Sequence, residues 1–251
     1  RQFGAGRYAI SICIGCLFMV AGSMVGNVVT SLIEALTGNP TKDVTDVIGD
    51  ANIFLALLFV GVLAPVAEEL IFRKALIDGL SRYGEGAAVF ASGLVFGLAH
   101  GNFSQCFYAF GLGLAFGYIY VKSGKIHLTI LPHAALNCIK LVLPRVLPLI
   151  EKLPEATTPE ETERLITGEL PALAVAGLYS SLLYGAAFLG LIFFIVYYRR
   201  IRLAPANLFV TSEGGMPPVP LCERLSALAF GNPGAAVFFA AVIFTFVLSV
   251  L

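Results

Sequence analysis

The stretch APVAEELIFRKAL, Ala64 to Leu76, sets two adjacent glutamates and an arginine inside a run of apolar residues that begins near position 51. Ionisable groups inside membrane spans are costly, and where they occur they face a bundle interior or a water-filled cavity. On a helix, Glu69 and Arg73 stand four residues apart on one face, while Glu68 points about 100° away from Glu69. The arginine can therefore neutralise Glu69, leaving Glu68 to face a different partner. Pro65 has no N–H for the turn before it, so a kink or a hydrated break is expected close to Glu68.

The surrounding chain is what makes this run a membrane segment. Of 251 residues, 58% are hydrophobic and 13% charged, and the mean hydropathy is +0.87, beyond the roughly half-apolar usage of soluble domains. Several apolar runs approach or exceed the ~20 residues that cross a ~30 Å hydrocarbon core. The expected fold is all-α, a polytopic transmembrane helix bundle of about seven to eight membrane helices, forming a single integral membrane domain over residues 1–251. Spans are expected at residues 8–33, 51–72, 87–100, 103–121, 127–150 and 171–198, with a last apolar stretch at the C-terminus. The 87–100 run is only about 21 Å long at ~1.5 Å per residue, so it is expected to tilt or to reach partway, leaving His100 within the membrane. The first run is too long for a signal-peptide core and is expected to stay as a membrane helix.

Short loops rich in Lys and Arg stay cytoplasmic. The islands Arg1/Arg7, Arg73/Lys74/Arg82, Lys122/Lys125 and Arg199/Arg200/Arg202 should then share one side. The N-terminus falls inside, and the acid-rich loops at 34–50 and 151–169 fall outside, with the C-terminus. Net charge is zero, and no basic stripe with interleaved aromatics tracks a phosphate backbone, so nucleic acid is not an expected partner.

Among the smaller signals, Cys13, Cys16, Cys106 and Cys138 lie in apolar segments, where a thiol acts as a small hydrophobe. The Cys13-x-x-Cys16 spacing lacks the strand-helix context of a redox motif. GxxxG spacings at Gly22/Gly26, Gly93/Gly97 and Gly113/Gly117 indicate close helix packing.

The polar groups expected inside the membrane are Glu68, Glu69, Arg73, His100, His133 and Asn137. His133 and Asn137 are four residues apart behind Pro132, which suits a first helical turn, and Phe96 and His100 repeat the spacing. His127, beside Lys125, is expected at the interface. Three helices thus each offer one polar face.

These residues form three motifs: EExxxR from Glu68 to Arg73, FxxxH from Phe96 to His100, and HxxxN from His133 to Asn137. Their order on successive membrane helices resembles that of the CAAX-protease and bacteriocin-processing family of intramembrane proteases, with a catalytic core expected over residues 52–143. Other intramembrane protease signatures are missing: there is no HExxH and no paired GxGD-type aspartate. The one rhomboid-like serine context, Phe90-Ala91-Ser92-Gly93, lacks the leading glycine.

Peptide hydrolysis needs an activated water, a proton donor for the leaving amine and stabilisation of an oxyanion. In agreement with the resemblance, Glu68 is assigned as general base, with His100 holding the water and His133 and Asn137 donating to the oxyanion. Glu69, Arg73 and Phe96 support the site. No cofactor is required in this reading, though Glu68, His100 and His133 could instead hold zinc or another divalent metal. The expected partners are the lipid bilayer and a membrane-associated peptide or protein substrate, which the resemblance implies is either a prenylated CAAX protein or a secreted precursor. The active site is expected toward the cytoplasmic side. The competing readings are a catalytically silent membrane scaffold and a transporter, the latter disfavoured because no internal repeat is found.

Overall fold

The computed structural model describes residues 3–41, 52–152, 158–204 and 233–249. Seven helices run through them: α1 (Ala5–Thr37), α2 (Ile53–Tyr83), α3 (Glu85–Leu98), α4 (Phe103–Ser123), α5 (His127–Lys152), α6 (Pro159–Tyr197) and α7 (Pro233–Leu248). The protein is an all-α membrane helix bundle. Ala5–Thr37, Ile53–Tyr83 and Ala174–Arg200 are long and apolar enough to cross a membrane, and Glu85–Leu98 and Val237–Leu248 are shorter apolar helices. Large apolar side chains such as Val28, Leu36, Leu182 and Phe188 point outward from α1 and α6, an arrangement that suits lipid rather than water. Parts of the expected topology, including Lys42, Asp43, Asp46, Asp50 and residues 205–232, lie outside the described residues.

Several boundaries differ from expectation, among them those of α1, which runs over Ala5–Thr37 rather than 8–33 and takes in Glu34. The second span does not stop at Phe72, because α2 continues to Tyr83 and Arg73 has no solvent exposure. An arginine that pairs with Glu69 inside the bundle does not need an interface, so the sequence position of the charge misplaced the helix end. The helix before His100 spans Glu85–Leu98 and stops just short of the histidine. The second acidic loop is shorter than expected, since α6 begins at Pro159. Proline tolerates a first helical position, and the acids that follow it complement the helix N-terminus.

α2 is unusual in its winding. Asn52 caps its start, the side-chain oxygen accepting from the N–H groups of Phe54 and Leu55 at 3.0 and 3.4 Å. Two wide π-helical segments, Leu57–Leu63 and Leu70–Ile77, flank a short α-helical piece, Ala64–Glu69, that carries Pro65 and both glutamates. In place of the kink or hydrated break expected near Glu68, the helix runs on through Pro65 with wide turns on either side. π-Turns of this kind are frequent at functional sites.

The bundle core is built on α4, which packs antiparallel against α1 on one side and α3 on the other. Glycines make this possible. A Cβ built on Gly113 would lie 2.7 Å from the Cα of Gly93, and one on Gly22 would lie 2.6 Å from the carbonyl oxygen of Phe107. All three GxxxG pairs lie at helix contacts, as a packing role requires. Met19, Leu112, Phe116 and Ile119 fill the space beside this seam. α5 packs against the first half of α2 and against α6, while the second half of α2 lies on α3. Gly101, at φ +67°, turns the chain between α3 and α4 in a conformation that side chains disfavour.

The Gly93–Gly113 approach predicts that Gly113→Ala lowers stability by about 1–3 kcal/mol, because a backbone has to move to admit the methyl group. Gly79→Ala, whose Cβ would meet nothing within 4 Å, should be neutral or slightly stabilising in the same helical context. Thermal unfolding in detergent compares the two. Equal midpoints would show that the seam tolerates the added carbon.

Candidate active site

Glu69 is fully buried and holds two partners at once. Its Oε1 accepts from His133 Nδ1 at 2.9 Å, and its Oε2 lies 3.1 Å from Arg73 Nε. The second contact is an ion pair without good hydrogen-bond alignment. Thr129, one turn before His133 on α5, is also fully buried and donates its hydroxyl to the Ile126 carbonyl at 2.8 Å. Because a carboxylate can only accept, Nδ1 of His133 carries a proton and the ring is fixed with Nε2 facing away.

Arg73 is compensated from several directions. Its Nη1 donates to Ser92 Oγ at 3.2 Å, and that hydroxyl donates in turn to the carbonyl of Phe72 at 2.7 Å. The guanidinium carbon sits 4.6 Å above the ring of Phe96 and 6.0 Å from that of Phe116. A desolvated cation over an aromatic face gains on the order of 2 kcal/mol. Nη2 has no hydrogen-bond partner among the described residues, so the ring faces supply part of its compensation.

Glu68 points where the helix geometry requires, away from Glu69, and the partner it meets is His133. Its Oε2 lies 3.4 Å from His133 Nε2. The imidazole therefore stands between two carboxylates from one helix. Unlike Glu69, the Glu68 side chain keeps 31% of its exposure, although its Oε2 is itself buried and lacks a hydrogen-bond partner among the described residues.

Phe96 links the two histidines. Its ring meets His100 edge-on at 5.0 Å and His133 at 5.5 Å. His100 Nδ1 lies 2.8 Å from the Phe96 carbonyl, so that nitrogen is the donor and Nε2 of the neutral ring is left as an acceptor. Asn102 holds the histidine's backbone, donating to the His100 carbonyl at 3.0 Å, and its Oδ1 caps α4 by accepting from Gln105 N–H. Among the described residues no hydrogen bond joins His100 directly to Glu68 or His133. The two imidazoles share the Phe96 ring rather than a bond.

Asn137 has a partner that explains Pro65. In the wide turn, Ala64 N–H donates to Phe59 O, five residues back. Pro65, next along, has no N–H to give Val60. Asn137 Nδ2 donates to the Val60 carbonyl instead, at 3.1 Å, which repairs the broken helix from α5. One N–H of the amide remains for other use. Cys138 lies against Gly61, away from His133, as the sequence indicates. His127 is exposed at the start of α5.

The structure thus joins Glu68, Glu69, Arg73 and His133 directly, joins His100 through Phe96, and joins Asn137 through the backbone of α2. Ser92, Thr129 and Phe116 belong to the cluster and were not singled out from sequence as site residues. A signal for two of them existed: Ser92, Phe96 and His100 repeat every four residues, as do Thr129, His133 and Asn137. Among the described residues, no three His, Cys, Asp or Glu side chains are grouped so as to hold a metal ion.

Comparison with protein families matches residues 50–139 to the type II CAAX prenyl endopeptidase Rce1-like family. The chain is also similar to the membrane-embedded CAAX protease MroQ of Staphylococcus aureus (strain USA300). The two are 27% identical over 128 residues, 48% of this chain and 51% of that protein, so the chain spans about half the length of this curated relative. No solved structure matches. All three motifs lie inside the matched segment, in agreement with the resemblance they carry.

Two outcomes follow from this geometry. Glu69→Gln leaves Arg73 buried without its counter-ion and should cost on the order of 3–5 kcal/mol, read as a loss of thermal stability in detergent. An unfolding midpoint equal to that of the parent would reduce the ion pair to an incidental contact. Asn137→Ala should cost about 1–2 kcal/mol by leaving the Val60 carbonyl unpaired. Pro65→Ala restores an N–H to α2 and should recover part of that loss, so a double-mutant cycle that is simply additive contradicts the repair.

Proposed function

We propose that the chain is an intramembrane endopeptidase that hydrolyses a peptide bond in a membrane-associated protein or peptide precursor, prenylated or not, with Glu68 as the base toward water. The observation that carries this reading is the difference between two neighbouring carboxylates. Glu69 is sealed at 0% exposure between Arg73 and His133, whereas Glu68 keeps 31% of its exposure and among the described residues has His133 as its one basic neighbour. Glu69 serves the architecture. Glu68 is free to take a proton.

Two carboxylates, Glu68 and Glu69, face two basic side chains, Arg73 and His133, in a site withdrawn from water. In the proposed reaction, Glu68 removes a proton from a water whose oxygen attacks the scissile carbonyl carbon. His100 Nε2 accepts from the same water and orients it. The carbonyl electron pair moves onto its oxygen, which accepts from His133 Nε2–H and from the remaining N–H of Asn137. As the C–N bond breaks, the proton held by Glu68 passes to the leaving nitrogen, giving a carboxylic acid and an amine. Glu69 keeps His133 in the donor orientation throughout. The alternative, a divalent metal on Glu68, His100 and His133, would require those three groups to converge more closely than their present grouping.

Orientation belongs to the same proposal. Arg7, Lys122, Arg200 and Arg202 gather at one end of the bundle, and the positive-inside rule places that end in the cytoplasm. With Arg73 buried, the first exposed cation on α2 is Lys74, six residues or ~9 Å beyond Glu68. Substrate would then be cut toward the cytoplasmic face, arriving from the cytoplasm or sideways through lipid.

The test begins with membrane peptides from cells with and without the gene, compared by mass spectrometry, and continues with the purified chain and the peptide so identified. Glu68→Gln should lower kcat by about 10²–10⁴ with an unchanged unfolding midpoint, and a chelator should leave the parent rate unaltered. Full cleavage by Glu68→Gln would remove the base from the scheme, loss of activity on chelation would favour the metal route, and a parent chain that cleaves nothing would favour a silent scaffold.

A further inference from the structure

At the end of the bundle where α1 begins and α4 and α6 finish, a cavity of about 900 Å³ opens between these helices and the start of α3. Its lining changes character along its length. At the outer end stand Arg7, Lys122, Arg200 and Arg202, and deeper in it is lined by Ile14, Phe18, Phe90 and Leu114. From Arg7 to Phe18 is eleven residues, about 16 Å of helix at ~1.5 Å per residue. That matches one leaflet of hydrocarbon, half of a ~30 Å core.

The cationic end is a constructed feature. After α6 the chain folds back onto the first turn of α3: Ala204 N–H donates to Glu85 Oε2 at 2.7 Å, and Glu85 N–H donates to the Ala204 carbonyl at 3.0 Å. Leu203 lies against Gly86. This returning strand carries Arg202 to the mouth beside Arg200. Glu85, the acidic residue at the mouth, is already bound by Lys122 and by Ala204 N–H. Arg7, Arg200 and Arg202 have no carboxylate partner among the described residues. Among the described residues the mouth therefore holds four cations against one anion, a net charge of +3, above an apolar channel one leaflet deep.

We propose that this groove is a binding site for one anionic glycerophospholipid, with its phosphate against Arg7, Arg200 and Arg202 and an acyl chain lying over the face of α4, between α1 and α3, as far as Phe18 and Leu114. A zwitterionic lipid offers the same phosphate but adds its own cation to a mouth that already carries an excess, so the site selects by net headgroup charge. It shares no residue with the Glu68–His133 cluster.

Native mass spectrometry of the purified chain tests this, using an equimolar mixture of palmitoyl-oleoyl phosphatidylglycerol and phosphatidylcholine in detergent. The parent should retain one phosphatidylglycerol, at least ~5-fold over phosphatidylcholine, on the scale of attraction between interfacial cations and anionic lipid. The triple variant R7Q/R200Q/R202Q should lose the preference, and R7K/R200K/R202K should keep it, which separates charge from folding. Ile14→Trp, which fills the channel and spares every cation, should lower retention of both lipids at least ~5-fold. Equal retention of the two lipids by the parent overturns the proposal, as does an unchanged preference in the glutamine variant or full retention by Ile14→Trp. Displacement of phosphatidylglycerol by ~10 mM glycerol phosphate, a concentration that fills any anion site of about mM affinity or tighter, would mark a free-anion site and also overturn it.

Discussion

A guanidinium with no exposure to solvent has to be neutralised inside the protein, and the middle of this bundle is organised around that requirement at Arg73. Withdrawing two ions from water costs several kcal/mol each, recovered only when geometry and further hydrogen bonds are good. Glu69 meets the charge, Ser92 and the Phe96 ring meet what remains, and each of these commitments fixes something else. Holding Arg73 turns Glu69 so that its other oxygen takes His133 Nδ1. Holding the guanidinium keeps Phe96 in place, and Phe96 is where the two imidazoles meet. The orientation of groups proposed to do chemistry is thus a by-product of solving a solvation problem one shell behind them.

A second constraint acts at Pro65. A proline within a membrane helix leaves a carbonyl without its donor, in a medium that offers no water to replace it. Here the carbonyl of Val60 turns to α5 for the Asn137 amide, with Gly61 allowing Cys138 to approach at the same level. The break in α2 and the polar face of α5 are therefore two halves of one contact. It sits above the Glu69–His133 bond and sets the height at which α5 presents its histidine.

What could be read from the sequence follows from this logic. The four-residue spacing of Glu69 and Arg73 gave their pairing, the neighbouring position of Glu68 gave its separate direction, and Phe96 beside His100 was visible as a motif. Each is a local relation along one helix. The contacts between helices were not legible in the same way. Nothing in the spacing says that Glu68 and Glu69 would grip the same imidazole, or that an asparagine in a motif would spend a donor on a backbone carbonyl seventy-seven residues away. Arg73 misled in an instructive manner: a charge at the end of an apolar run usually marks water, and here its partner lies one turn back in the same helix. Ser92 stood out only as a rhomboid-like serine lacking its glycine, because a serine in a small-residue helix carries no charge to mark it as a partner for Arg73.

The glycine seam between α3 and α4 bears on mechanics. At Gly93 and Gly113 backbone meets backbone, with no side chain between them whose rotation could absorb a displacement. Sliding or parting the helices there would trade direct van der Waals contact for a gap too narrow to fill, so the pair acts as a single stiff plank. His100 rides on the end of that plank through the Phe96 and Asn102 bonds. The histidine's place is thus set by backbone contact, whereas Glu68 and Glu69, flanked by the two wide turns of α2, are held by side-chain pairing.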